Sequence, residues 1–355
     1  MDRSSTMERS ESSNSSGRLA ASVWFPRPRE VEIRPEALGQ VGPHEVRVRA
    51  IASALSHGTE MLVYRGEVPP ELELDLPTLR GDFRFPIKYG YASVGRVVEV
   101  GAAVADQRID DLVFVHHPHQ TEYVVPAFML VRLPDGVGVE AGLFIANLET
   151  AVNAMLDAGP RLGERVLILG QGVVGLLLTQ LARRVGASLV VAADPWPTRR
   201  EQAEKAGAHV TLAPDSHLPE IVRELTGGDG VDVILEASGS PTALGQAVEC
   251  AAFQATVVVV SWYGVKPTTV PLGGAFHRRR LRIVSSQVSF LDPALRPRWN
   301  RARRMALALD LLPSLRLAPL ITHRIPFDRA PEAYALVDLH PEQTVQVILT
   351  YGERG

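Results

Sequence analysis

Side chains that can bind a metal or pass a proton follow one another in the segment "SHGTE", residues 56–60. His57 and Thr59 stand there directly after "EVRVRAIASAL", whose first half alternates between polar and apolar residues, as a half-buried strand does. An imidazole and a hydroxyl at the end of a strand fit three kinds of structure: a metal site, a proton relay or a polar turn. The elements around the segment must decide among them.

The glycine pattern in "VLILGQGVVG" is the second chemical signal. A short apolar strand leads into Gly170, Gly172 and Gly175, and a helical pattern follows. Gly170 permits a tight turn, Gly172 lets the backbone approach a pyrophosphate, and Gly175 lets helix and strand pack closely. Val173 and Val174 open the helix, whose free N–H groups and dipole favour phosphate. The pattern predicts dinucleotide binding; a turn without a ligand is the alternative.

The choice between NAD and NADP depends on Asp194, which ends the next predicted strand, "SLVVAAD". It follows Gly175 at about the 20-residue spacing expected of an acid that binds the adenosine ribose. A carboxylate accepts from ribose hydroxyls and repels a 2′-phosphate, so NAD is favoured. Arg199 and Arg200 weaken this preference because either can pair with a phosphate; both also fit a solvated first helical turn.

Strand and helix patterns alternate from about residue 155 to 290, which predicts a doubly wound parallel sheet, the Rossmann fold. The segments "ASGS" (237–240) and "SWYG" (261–264) follow predicted strands, where ligands bind in such sheets. We therefore expect Ala237 and Ser238 to contact the cofactor. Trp262 and Tyr263 either face the nicotinamide or pack beneath a loop.

The remaining chain differs in pattern and composition. Residues up to about 150 are rich in short alternating strands, and the last predicted strand, "TVQVILTY", is expected to return to them. Residues 1–20 are polar and Ser-rich, which predicts a disordered tail rather than a signal peptide. The net charge of −3 and the single cysteine give no sign of nucleic-acid binding, disulfides or a cysteine zinc cluster. We expect a cytoplasmic protein without a membrane span.

This organisation resembles the medium-chain dehydrogenase/reductase superfamily of the alcohol dehydrogenase type. The segments that carry the resemblance are "GERVLILGQGVVGLLLTQLARRVGA", "ITHRIPF…AYALV", "SHGTE" and "YGYASVGRVVEVG". The resemblance implies an α/β protein with a Rossmann domain over 155–290. It also implies a β-rich, GroES-like catalytic domain formed by 21–154 and 291–355. The sequence "SHGTEMLVYRGEVPP…YGYASVGRVV" is most similar to that of the bacteriochlorophyllide-type dehydrogenases, although Ala92 and the insertion 71–85 depart from that branch.

The same resemblance bears on zinc. His57 falls where zinc-dependent members have a cysteine ligand and Thr59 where they have a relay hydroxyl, while Tyr91 and Ala92 replace a histidine and a glutamate. Catalytic zinc needs about three protein ligands. We therefore expect no zinc; a metal held by His57 with His119 or Glu149 is the minor alternative.

Without zinc, other groups must bind the developing alkoxide and accept its proton. The resemblance places His57, Thr59 and Tyr91 in the cleft. From the histidine-rich segment 116–119 we choose His119, and we add Glu149, which is expected near the start of a cleft-lining helix. The alternatives without a catalytic role are a structural histidine for His119 and a carboxylate favoured by the helix dipole for Glu149.

The sequence thus predicts a zinc-independent, NAD-dependent enzyme that interconverts a secondary alcohol and a ketone on a sizeable or cyclic small molecule. A zinc-free alkene or quinone reductase using NADPH is the first alternative, and a nucleotide-binding protein without turnover is the second. The resemblance suggests a homodimer or homotetramer. The arginine-rich segments 277–282 and 296–304 are interpreted as solvated surface or subunit contact, with attraction of an acidic substrate as the alternative.

Overall fold

A computed structural model describes residues 18–74, 76 and 78–352 of the chain. The predicted disordered tail lies largely outside these residues. Its last two positions do not fit the prediction, because the first strand already begins at Leu19. Alternate residues of that strand face the interior, and this burial holds them in place.

The strands and helices follow in chain order. The strands are β1 Leu19–Trp24, β2 Glu32–Ala37, β3 Glu45–Ala54, β4 Ser93–Val100, β5 Leu112–Val115, β6 Glu122–Pro126, β7 Val131–Arg132, β8 Arg165–Leu169, β9 Leu189–Ala193, β10 Val210–Leu212, β11 Val231–Glu236, β12 Ala251–Val259, β13 Arg282–Ser285, β14 Ile321–Pro326 and β15 Gln346–Thr350. The helices are α1 Thr59–Arg65, α2 Val139–Gly142, α3 Ile145–Ala158, α4 Val173–Arg184, α5 Pro197–Lys205, α6 Leu218–Leu225, α7 Pro241–Cys250, α8 Arg301–Leu311 and α9 Ala330–Leu339.

The middle of the chain forms a parallel sheet with the order β10-β9-β8-β11-β12-β13. The two central strands, β8 and β11, are almost wholly buried, which explains why apolar residues predominate in their sequences. The strand order reverses between β8 and β11, and open α/β sheets bind ligands at such a switch point. The predicted Rossmann fold is confirmed.

A second sheet has the order β14-β15-β3-β4-β5-β7, with β6 paired to β3. Its pairs are antiparallel except for β14 with β15. The pairing of β15 with β3 joins Ile348 to Ala54, so the end of the chain returns to its beginning as predicted. β1 and β2 form a separate antiparallel pair, so the fold is α/β with one parallel sheet, one mixed sheet and this two-stranded sheet.

Two helices connect the parts. α3 precedes the parallel sheet and α8 follows it, and the two helices pack against each other. One apolar core contains residues of α3, of α4 and of both sheets, which fixes α3 between them. None of the helices in the described part of the chain is both long and apolar enough to cross a bilayer.

Candidate active site

The glycine turn at the end of β8 has the geometry that the pattern predicts. Gly170 has φ +90°, and a Cβ there would lie 2.5 Å from the Cα of Ser238. A Cβ on Gly175 would lie 1.8 Å from the carbonyl oxygen of Gly170, so only glycine lets α4 pack so close to β8. A Cβ on Gly172 would meet nothing within 4 Å, and α4 begins there without a side-chain cap. The turn therefore leaves an open place beside the helix N-terminus formed by Val173 and Val174, which fits a dinucleotide phosphate.

Asp194 lies just beyond β9, at the same edge of the sheet, and is 2% exposed. Its carboxylate accepts from the backbone N–H of Gln171 (2.7 Å) and of Trp196 (2.9 Å), so it ties the glycine turn to the next loop. The Arg199 guanidinium is 3.8 Å away but donates to the carbonyls of Pro341 and Thr344. Arg199 therefore connects α5 to the C-terminal segment, a contact that the sequence pattern did not predict.

The ends of β11 and β12 bring together the other predicted cofactor residues. Ala237 donates its N–H to the carbonyl of Leu169, and Ser238 is exposed beside the glycine turn. Tyr263 donates its hydroxyl to Glu236 (2.7 Å), a fully buried carboxylate that also accepts from the N–H of Ser238 (2.8 Å). The Tyr263 hydroxyl thus braces the sheet edge. Glu236 was not predicted as a site residue, because inside an apolar strand it carries no motif.

Trp262 has a different environment. It is 37% exposed, and its ring lies 5.9 Å, edge to face, from the ring of Phe83 in the insertion 71–85. The aromatic contacts continue from Phe83 to Tyr89 (5.7 Å) and from Tyr89 to Tyr91 (6.2 Å). An aromatic strip therefore runs from the end of β12 to the residues before β4.

The loop "SHGTE" is held on its core side by Glu60, which is completely buried. Its carboxylate accepts from the backbone N–H of Ser56 (3.0 Å) and from the Tyr334 hydroxyl, and it lies 2.8 Å from Nε2 of His119. The other ring nitrogen of His119 lies 2.6 Å from the Ser53 hydroxyl. Both His119 nitrogens are occupied and the residue is 0% exposed, so the choice of His119 as a cleft residue is wrong. Its ring supports the loop from inside the core.

In the same loop, Oγ of Ser56 accepts a hydrogen bond from the Tyr91 hydroxyl at 2.5 Å. Thr59 is the first residue of α1 and is partly exposed. Tyr91 thus joins the segment before β4 to the loop that contains Ser56 and Thr59. Ser56 was not among the predicted site residues. Ser56 carries no motif of its own, and only its contact with Tyr91 reveals it.

His57 lies beside the last strand. Its Nε2 lies 3.4 Å from the backbone N–H of Val347. Burial, with the charges of Arg199 and Arg65 nearby, lowers the pKa of His57 to about 3. His57 is therefore neutral at physiological pH and takes up no proton there.

Glu149 is the fifth residue of α3 rather than near its start, so it has no dipole role at the helix N-terminus. Its Oε1 accepts from Arg304 of α8 at 2.7 and 3.2 Å, and its Oε2 lies 3.7 Å from Nε2 of His116. Arg304 is buried, although the arginine-rich segment that contains it was predicted to be solvated. His116, not His119, is the member of the histidine-rich segment that faces this group.

These residues do not fit the zinc that the family resemblance implies. Within 18–74, 76 and 78–352, no three His, Cys, Asp or Glu side chains converge as metal ligands. Tyr91 is engaged with Ser56, and Glu149 is engaged with a guanidinium whose positive charge would oppose a cation. His57 is joined by neither His119 nor Glu149, because His119 lies in the core and Glu149 binds Arg304.

Comparison with known proteins agrees with this architecture. The family model described as zinc-binding dehydrogenase matches residues 173–306. D-guloside 3-dehydrogenase of Escherichia coli K12 is 29% identical over 326 residues, which span 87% of this chain and 93% of that protein. Sorbitol dehydrogenase 1 of Saccharomyces cerevisiae is 28% identical over 302 residues, 74% of this chain and 82% of that protein. Over most of its length the chain is thus similar to dehydrogenases named for sugar or polyol substrates.

Solved structures support the same fold. A short chain alcohol dehydrogenase of E. coli CFT073, solved with NADH, superposes with a TM-score of 0.78 at 22% identity and covers 94% of this chain and 99% of that one. A zinc-binding dehydrogenase of Sinorhizobium meliloti 1021, solved with NADP, gives a TM-score of 0.76 at 22% identity over 94% and 99% of the two chains. The chain is thus similar over nearly its whole described length to dehydrogenases of this type.

Proposed function

We propose that the protein is a zinc-independent, NAD-dependent dehydrogenase that interconverts a secondary alcohol and a ketone. The observation that carries the proposal is the hydroxyl pair of Tyr91 and Ser56, because the family resemblance places Tyr91 where zinc-dependent members have a histidine ligand. The proposal divides the chain into a catalytic domain, 21–154 with 291–355, and a cofactor domain, 155–290. Each of the two sheets draws its strands from one of these divisions, which supports the boundaries.

The choice of NAD rests on the surroundings of Asp194. A 2′-phosphate on the adenosine ribose would meet this carboxylate. The two arginines that could offset the repulsion are engaged: Arg199 on the carbonyls of Pro341 and Thr344, and Arg200 on the carbonyls of Asp194 and Pro195. Solved neighbours carry NADH in one case and NADP in another, so the preference belongs to these side chains rather than to the fold.

A nicotinamide dinucleotide held at the Gly170–Gly175 turn would supply the acceptor or the donor of the hydride at the carbinol carbon. The chain must then stabilise the negative charge that grows on the substrate oxygen. Because Tyr91 donates its proton to Ser56, the Ser56 hydroxyl keeps its own proton to donate to that oxygen. Thr59 adds a second hydroxyl from the start of α1. Glu60 fixes Ser56 through its backbone N–H, so the pair is preorganised.

The proposed substrate is a sizeable or cyclic molecule that carries several hydroxyls. Trp262 and the partly exposed Tyr91 offer aromatic surface for the face of a ring, and the buried rings of Phe83 and Tyr89 connect them. Two relatives are named for oxidation of a guloside and of sorbitol, which agrees with a polyhydroxylated substrate. We also propose a homodimer or homotetramer formed at an edge strand of the parallel sheet, β10 or β13, which size-exclusion chromatography with light scattering can test.

The test of the function is NADH formation, followed at 340 nm, with a panel of cyclic polyols, glycosides and open-chain secondary alcohols. NADP is the matched cofactor control, and metal content is measured before and after chelation. Oxidation with NAD that survives chelation supports the proposal. Consumption of NADPH with enones or quinones would replace it with the reductase function. Tight NADH binding without turnover of any substrate would favour a non-catalytic role, and activity lost together with a stoichiometric metal would refute zinc independence.

A further inference from the structure

The arginine on α8 brings an unusual charge into the cleft region. Arg304 is 2% exposed and is the largest of the fully buried side chains in the described residues. Its guanidinium donates to Oε1 of Glu149 through two nitrogens and to Oδ1 of Asn153 at 2.5 Å. Both partners lie on α3, one helical turn apart. A buried guanidinium costs desolvation energy, so its bonds restrain α3 and α8 closely.

Glu149, which is held by Arg304, in turn lies beside the His116 ring. Burial would raise the pKa of Glu149, but the His116 ring and the Arg304 guanidinium lower it below its ordinary value. The carboxylate is therefore ionised and shared: one oxygen faces Arg304 and the other lies 3.7 Å from His116 Nε2. Arg304 holds the carboxylate and limits how strongly it can attract a proton onto the ring.

The orientation of His116 is set from two sides. Its Nδ1 lies 3.2 Å from the carbonyl oxygen of Tyr91, which can only accept, so Nδ1 carries the proton. When the ring is neutral its lone pair is then on Nε2, and only the protonated ring can donate from Nε2 to Glu149. Phe114 packs edge to face on the ring at 4.9 Å, and Thr78 donates to the His116 carbonyl at 2.6 Å. The side chain remains 29% exposed, whereas His119 is fully enclosed.

We propose that Nε2 of His116 accepts the hydroxyl proton of the substrate, with Glu149 stabilising the resulting imidazolium and Arg304 fixing Glu149. The inference rests on the proposed function and deepens it. As the C–H hydride goes to the oxidised nicotinamide and the C–O bond becomes a carbonyl, the O–H proton goes to Nε2 and later to solvent. The ketone is the oxidised product, the reduced nicotinamide is the other product, and the catalyst ends unchanged. Arg304 is a positioning residue, because it acts only through Glu149.

The groups facing His116 set the expected pH behaviour. Glu149 on α3 attracts a proton onto the ring, and Arg304 on α8 opposes it. Tyr91 contributes a neutral carbonyl and Phe114 a neutral ring. Asp157 on α3 is more remote: its carboxylate accepts from Asn153 and does not contact the His116 ring.

The experiment is the pH profile of kcat for alcohol oxidation with NAD. Arg304→Met should move the acid limb of this profile to higher pH by about one pH unit or more, because it removes a positive charge and frees Glu149. Glu149→Gln should move the acid limb to lower pH. Arg304→Lys keeps the charge and should restore much of the wild-type profile. Arg303→Met, the exposed neighbour on the same helix, is the matched control and should change nothing. If Arg304→Met does not fold, Glu149→Gln and Arg304→Lys carry the comparison.

Activity supplies the second measurement. His116→Asn should lower kcat by about 100-fold or more while NADH affinity stays within about twofold. His116→Asn with near-normal turnover, or an acid limb of the kcat profile that moves in neither Arg304→Met nor Glu149→Gln, would overturn this inference alone. A wild-type enzyme that oxidises no alcohol would instead remove the proposed function and this inference with it.

Discussion

Two alanine substitutions in one turn separate the binding role of the glycines from their packing role. A Cβ on Gly172 points into open space, and its φ of −71° suits any residue. Gly172→Ala should therefore leave the unfolding temperature nearly unchanged. The added methyl stands where the pyrophosphate is expected, so NADH affinity should fall by about tenfold or more, equivalent to about 1.4 kcal/mol.

Gly175→Ala perturbs the same turn in the opposite way. Its Cβ would lie 1.8 Å from the backbone oxygen of Gly170, and neither atom belongs to a flexible side chain. Ordinary contact needs roughly 3.5 Å, so α4 must move away from β8 by about 1.5 Å. Overpacking of this kind costs about 1–3 kcal/mol, or more when backbone must shift. We expect the unfolding temperature to fall by several degrees.

The assay pairs thermal unfolding of the cofactor-free protein with NADH titration followed by fluorescence or calorimetry. We expect Gly172→Ala to lose NADH affinity and keep its unfolding temperature, whereas Gly175→Ala should lose both. Wild-type NADH affinity in a folded Gly172→Ala protein would refute the placement of the pyrophosphate. An unfolding temperature of Gly175→Ala equal to that of the wild type would refute the close contact between α4 and β8.

Three further outcomes are expected. Tyr91→Phe should lower kcat about tenfold or more with little change in NAD affinity, because it removes the donor to Ser56; equal kcat in steady-state assays would contradict this role. Burial lowers the pKa of His117 to about 3 from its ordinary 6.5. Between these two pH values the unfolded chain binds a proton at His117 and the folded protein does not, so the stability of the fold falls as the pH drops from 6.5 toward 3. His117→Phe, which keeps a ring on Tyr123, should flatten denaturant-measured stability between pH 6.5 and 4.5 by up to about 1.4 kcal/mol per pH unit; an unchanged slope would argue against a neutral, buried His117. Glu60→Ala should destabilise the fold by about 3 kcal/mol or more, because the partners of this buried carboxylate lose it together; a loss below about 1 kcal/mol in urea unfolding would show that the network is dispensable.

The cofactor region was predictable from sequence because its signal is local. A strand, three glycines, a helix and an acid occur in order within one unit, and backbone sterics impose each of them. The parallel sheet and its strand order follow from the same alternation. The return of β15 to β3 was also predictable, since one strand pattern was left over after the Rossmann units were assigned.

The polar site was less predictable because its partners are distant in the chain. Arg304 meets Glu149 across 155 positions, and Tyr334 meets Glu60 across 274. Spacing within "HHPHQTEY" does not reveal that His119 turns into the core while His116 remains open, because that depends on Glu60 and Ser53. Arg304 has the same neighbours in sequence as the exposed arginines, and only the packing of α8 on α3 distinguishes it.

The pairing of β3 with β15 has a consequence for biosynthesis. The ribosome releases residues 45–54 long before residues 346–350, so β3 can pair with β4 and β6 while its third partner, β15, does not yet exist. The segment between β3 and β15 completes its own parallel sheet without either strand and can fold first. A nascent chain that stalls before residues 346–350 therefore carries a finished parallel sheet beside an open edge of β3, the form most exposed to chaperones and to aggregation.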